Sequence, residues 1–97
     1  MSINEKPMII YPDGRTEAFE FKGDLPELEE MQKVVGGLIE PVNPRKEDWI
    51  MIVNEEGLLL ELEYNDKATG LQAPSYFLHS NVIVGTAIYM PMALLGE

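Results

Sequence analysis

The chain of 97 residues carries 17 Asp and Glu against 7 Lys and Arg, a formal net charge of −10 at pH 7, and no cysteine. This length suits a single domain spanning residues 1–97, and a hydrophobic content of 45% separates it from compositional disorder. Disulfides, thiolate nucleophiles and cysteine-ligated metal sites are excluded, and the acid excess opposes direct contact with nucleic-acid phosphates.

Pro7-Met-Ile-Ile-Tyr-Pro12 reads as a short apolar strand, closed by the turn Pro12-Asp13-Gly14. Thr16 to Phe21 alternates, with Glu17, Phe19 and Phe21 on one side, so the two runs predict an N-terminal hairpin. A helix start follows: Asp24 is positioned to cap, Pro26 suits a first turn, and Glu27 stands three residues after Asp24. Leu28, Met31 and Val35 form the core stripe of a helix over 26–35, which Gly36-Gly37 terminates. Leu38-Ile-Glu-Pro-Val42 is a strand whose proline places it at a sheet edge or a strand end. Trp49-Ile-Met-Ile-Val53 is continuously apolar and predicts a central strand covered on both faces.

The stretch Met51 to Thr69 then predicts a second hairpin. Asn54-Glu55-Glu56-Gly57 supplies the turn, and Leu58, Leu60, Leu62 and Tyr64 face inward from the returning strand. Asn65 caps one helical turn that Gly70 ends, and Gly70 to Ser80 carries little pattern. Asn81-Val-Ile-Val-Gly85 and Thr86-Ala-Ile-Tyr-Met90 read as a last strand broken at Gly85, where a bulge or a close backbone contact is expected. Met92-Ala-Leu-Leu95 is apolar enough to dock on the body or on a neighbour. The expected fold is α+β: an antiparallel-rich sheet of five or six strands with one main helix packed on a face. With no basic-then-apolar leader pattern and no apolar run near the ~20 residues of a membrane span, the expectation is a soluble protein of a cytoplasm.

Few residues invite chemistry. Glu55 and Glu56 are adjacent in a tight turn, where side chains diverge, and a hard cation needs further oxygens. A turn tip that contacts a partner is the functional alternative for Asn54, Glu55 and Glu56. Asn65, Lys67 and Thr69 admit two readings, a capped turn with solvated charge or one wall of a ligand pocket, to which Tyr76 and Phe77 could add stacking. His79 lacks a second histidine, and Ser75 and Ser80 lie in no nucleophile pattern, so no catalytic residue, metal or cofactor is expected.

Val34-Val-Gly-Gly-Leu-Ile-Glu40, Val53-Asn-Glu-Glu-Gly57 with its leucines, and Asn65-Asp-Lys-Ala-Thr69 with the later Val82-Ile-Val-Gly85 occur in one order. That order, from about Met8 to Met90, resembles the DUF3846 family of small proteins from bacteriophages, plasmids and their bacterial hosts. The resemblance implies a mobile-element accessory protein in the host cytoplasm and transfers no catalytic residue. Two readings follow. The first is a non-enzymatic protein that binds a host factor, including one of a defence system. The second is a module that sequesters a small nucleotide-like molecule, with homo-oligomerisation supplying a subunit interface for it.

Overall fold

The computed structural model describes residues 6–73 and 82–96. Its N-terminal hairpin pairs β1 (Met8–Ile10) with β2 (Thr16–Ala18) through the expected turn. The Gly14 N–H donates to the Tyr11 carbonyl at 2.9 Å, and the Asp13 carboxylate accepts from the Arg15 backbone at 3.0 Å and from its Nε at 2.9 Å. β2 stops at Ala18, before the alternating pattern does. Phe19 is nonetheless buried, and Phe21 packs beside it with ring centroids 5.4 Å apart.

Helix α1 (Leu28–Val35) begins later than the sequence suggests. Its N-cap is Glu27, not Asp24, because Pro26 disfavours helical geometry in the residue before it. The same capping logic operates three residues downstream: the Glu30 carboxylate accepts from the N–H of Glu27 at 2.8 Å and of Lys22 at 3.1 Å. These two bonds, Glu27 first, hold the Glu30 carboxyl below its ordinary value of 4.5. A depressed folded-state pKa stabilises the fold above the unfolded-state value, and that contribution is lost as pH falls through the folded-state value. Glu30→Gln is therefore expected to lower the urea midpoint at neutral pH, with the gap to the parent protein closing below about pH 4. A gap independent of pH would show that the carboxylate charge plays no part.

At the other end of α1, Gly36 adopts the left-handed conformation at φ 86° and donates to the Gln32 carbonyl at 2.8 Å. Met31 and Val35 are buried, whereas Leu28 is 53% exposed. Helical angle alone groups Leu28 with Val35, but burial also needs a surface opposite, and the core reaches only Met31, Val34 and Val35.

β3 (Ile39–Val42) pairs with β4 (Trp49–Asn54), and β5 (Ala87–Pro91) completes an antiparallel sheet of order β2-β1-β5-β4-β3. The last strand in the chain is thus the middle one, and it alone joins the N-terminal hairpin to the β3–β4 pair. Pro41 lies on an edge strand, as its missing donor requires. On one sheet face Ile9, Ile50, Ile52, Ile88 and Met90 meet α1, with Leu94 and Leu95 of the 3₁₀ turn Met92–Leu95 packed against them. On the other, Ile10, Trp49, Met51, Val53, Ala87 and Tyr89 meet Ile83 and helix α2 (Asp66–Leu71). β4 is therefore covered on both faces.

The predicted returning strand over 58–64 does not form. Residues 55–61 roll into turns instead: the Leu60 N–H donates to the Glu56 carbonyl at 2.9 Å, and the Leu62 N–H to the Gly57 carbonyl at 3.0 Å. The reason is topological. β4 already has β3 on one side and β5 on the other, so no lateral position remains for a third strand. Only Tyr64 makes a bridge, to Val84, and Leu58, Leu60 and Tyr64 are exposed rather than inward. Gly70, expected to end the second helix, lies inside it, and α2 closes at Gln72, whose N–H donates to the Thr69 carbonyl.

Candidate functional site

Three of the polar side chains singled out by the sequence, those of Asn54, Asn65 and Thr69, are engaged within the fold. Asn54 is buried: its Nδ2 donates to the Val35 carbonyl at 3.1 Å and its Oδ1 accepts from the Glu56 N–H at 2.7 Å. It thereby ties the C-terminal end of α1 to the turn after β4. Glu55 and Glu56 are exposed, and the Glu55 N–H continues the β3–β4 ladder by donating to the Leu38 carbonyl at 2.8 Å.

Asn65 is fully buried and pins three segments. Its Nδ2 donates to the carbonyls of Ile10 at 3.0 Å and Gly85 at 2.8 Å, and its Oδ1 accepts from the Ala68 N–H at 3.0 Å. The cap predicted from sequence is real, but the same side chain also holds β1 and the approach to β5. Thr69 Oγ1 accepts from the Ile83 N–H at 2.8 Å. Neither residue presents a vacant polar atom to a ligand in this geometry. Lys67 is exposed. Tyr76 and Phe77, with Ser75, His79 and Ser80, lie outside the described residues.

What the segment 54–59 builds is a cavity of about 670 Å³ on the α2 side of the sheet. Val42 of β3, Val53 of β4 and Ile83 line it, with Gly57, Leu58 and Leu59 along one side and Val82 and Val84 along another. Glu40, Asn54, Glu55 and Gln72 are the polar residues of its described lining. Gly57 is needed for this closeness, since a Cβ there would stand 2.7 Å from Val84 Cγ2. Around the cavity Leu58, Leu59 and Leu60 are 71%, 82% and 53% exposed, and Val82 is exposed as well. The volume falls within the range of small-molecule and side-chain pockets. Its described lining residues include two carboxylates, those of Glu40 and Glu55, and no cation.

Leu59 was the legible sign of this site. It breaks the inward alternation of Leu58, Leu60, Leu62 and Tyr64, and a half-buried strand would have left it facing water. Glu40, Val42, Gln72 and Val84 carry no local signal; they converge only through strand register and the approach of residues 82–84.

A second cleft, of about 540 Å³, lies between β2 and α1 and is bordered by Glu17, Glu20 and Glu29 together with Lys22 and Lys33. Those side chains are exposed and mixed in sign, as on a solvated face. Among the described residues no group of three or more acidic or histidine side chains converges to hold a metal ion, and no helix is long and apolar enough to cross a membrane.

These features define a small α+β protein with a sheet covered on both faces and an apolar, acid-rimmed cavity beside exposed leucines. The sequence matches the domain of unknown function DUF3846 over residues 6–92, and the protein belongs to that family. No curated protein and no solved structure matches the chain.

Proposed function

We propose that this protein is a non-enzymatic binding module, an accessory protein of a phage or other mobile element that acts by docking on a host protein. One observation carries the reading: three consecutive leucines stand in solvent beside an apolar cavity. Burying a leucine is worth about 1.5–3 kcal/mol. A contiguous apolar patch next to a concavity is the usual mark of an interaction surface, whereas scattered exposed leucines are not. The mobile-element setting rests on the family's occurrence in phages and plasmids, and a component of a host defence system is the class of target that setting favours.

The alternative, capture of a nucleotide-like molecule, has less support. The polar atoms of Asn65 and Thr69 are engaged internally, and a phosphate entering the cavity would meet Glu40 and Glu55.

The double variant Leu58→Asp/Leu59→Asp tests the docking reading. Both positions are exposed, so its urea midpoint is expected to match the parent within about 0.5 kcal/mol. Retention of a stoichiometric host protein from lysate is expected to fall at least about tenfold. Undiminished retention by a folded variant would remove this face from the function.

A further inference from the structure

We infer that the segment received at this cavity is cationic as well as apolar: a large apolar side chain enters it, and flanking Lys or Arg side chains meet Glu40 and Glu55. The inference rests on the docking reading above and adds the chemistry of the partner.

Strand register places the two carboxylates together. Glu40 lies opposite Val53, and the ladder bond from the Glu55 N–H to the Leu38 carbonyl carries the pairing two residues past Val53. Glu40 and Glu55 are therefore diagonal neighbours on one face, with Cα atoms about 7–8 Å apart. Both side chains are exposed and both border the cavity, where no described lining residue balances them. An apolar insert with neutral flanks would bring low-dielectric material against two uncompensated carboxylates. An insert with cationic flanks would pair them.

The rest of the molecule narrows the occupant further. At a net charge of −10, a second copy is repelled at long range, and a two-fold contact across this face would bring two Glu40–Glu55 pairs into one interface. A basic partner is attracted by the same field. The free edge of β3 points to insertion rather than strand addition. Because Leu38 and Glu55 form a hydrogen-bonded pair, so do Glu40 and Val53, which turns the backbone of Pro41 outward. Proline has no N–H there to offer an added strand. The partner thus engages the sheet face and the leucines, not the backbone edge.

Three labelled decapeptides test this by fluorescence anisotropy. One has two central leucines flanked on both sides by lysines, one has glutamates in place of the lysines, and one has serines in place of the leucines. The leucine–lysine peptide is expected to bind the parent protein at least about tenfold more tightly than either other peptide. Glu40→Gln/Glu55→Gln is expected to weaken it at least about fivefold and to flatten the salt dependence. Glu20→Gln/Glu29→Gln, with the same charge change in the cleft between β2 and α1, is expected to change it less than about twofold. Equal binding of the glutamate or serine peptide, or equal effects of the two double variants, would overturn the inference. So would a dimer in light scattering that Leu58→Ser/Leu59→Ser dissolves, because the occupant would then be a second copy. If the leucines govern host-protein retention while no peptide preference appears, the docking reading survives and only the partner chemistry is wrong. If the leucines affect neither, the docking reading itself is wrong.

Discussion

Asn65→Asp, a one-atom change in side-chain chemistry, is expected to lower the unfolding free energy by about 3–6 kcal/mol near neutral pH. The substitution keeps an acceptor for the Ala68 N–H but removes both donors, depriving the buried carbonyls of Ile10 and Gly85 of the Asn65 hydrogen bonds. Losing a bond at a buried group costs about 1–3 kcal/mol where nothing replaces it. The new carboxylate would also face those carbonyls in a site closed to solvent, so its charged form is disfavoured. The sign of the pH dependence follows. A folded-state pKa raised above the unfolded value gives a contribution that is present in acid and lost as pH rises through the folded-state value. The deficit of the variant relative to the parent should therefore widen from acid to alkali. Asn65→Ala removes all three bonds and introduces no charge, so its loss, about 3–5 kcal/mol, should be nearly independent of pH. Urea denaturation across the pH range reads both. If Asn65→Asp folded within about 1 kcal/mol of the parent, the side chain would not be the pin described here, and a role facing a ligand would regain ground.

Gly85→Ala is expected to cost about 2–4 kcal/mol from two separable sources. The backbone at Gly85 has φ +79°, a conformation that L-residues adopt at a penalty of about 1–2 kcal/mol. A Cβ there would also lie 2.8 Å from Leu62 Cδ1 and 3.4 Å from Leu62 Cβ. Leu62 is half-buried and its tip can turn aside, so crowding adds about 1–2 kcal/mol and not more. Combining Gly85→Ala with Leu62→Ala isolates the two. The clash disappears in the double variant, while the backbone penalty persists, so the effects should be non-additive by about 1 kcal/mol or more. Strict additivity would mean that Leu62 does not lie over Gly85. The position matters because Gly85 passes the chain from the Tyr64–Val84 bridge into β5, and its carbonyl is one of the two that Asn65 holds.

Both residues were visible in the sequence, though for lesser reasons. Asn65 was legible as a helix cap and Gly85 as a bulge or a close backbone contact within a last strand. The cap forms and the Gly85 N–H donates to the Glu63 carbonyl at 2.7 Å, but the strand itself begins only at Ala87, with Val84 in an isolated bridge before it. What the local pattern could not convey is that they meet. Asn65 reaches Ile10 across 55 positions and Gly85 across 20, and nothing in the neighbourhood of either residue encodes that approach. Three of the candidate site residues fared likewise. Asn54 was legible as a turn residue and Asn65 and Thr69 as parts of a capped turn or a pocket wall, and backbone groups from α1, β1 and the 83–85 segment engage them as well.

The predicted strand over 58–64 shows the opposite weakness. Alternation of Leu58, Leu60, Leu62 and Tyr64 is a sound signal for a half-buried strand, yet a strand also needs a free neighbour. With β5 arriving from the C-terminal end to lie beside β4, none was left, and the leucines were turned into solvent next to the cavity. The exposed face on which the functional proposal stands is thus a product of strand order.

Composition and short-range sterics determined the local elements of this protein by themselves. The Pro12–Gly14 turn, the helix ending at Gly36, the continuously apolar strand at 49–53, the strand interrupted by Pro41 and the cap at Asn65 each depend on neighbours a few residues apart. Tertiary structure alone decided which strand lies in the middle, which polar groups are engaged, and where apolar surface stays open. Those outcomes depend on contacts between distant segments, whose free energy is won only when the whole sheet closes around β5, so no window of sequence contains them.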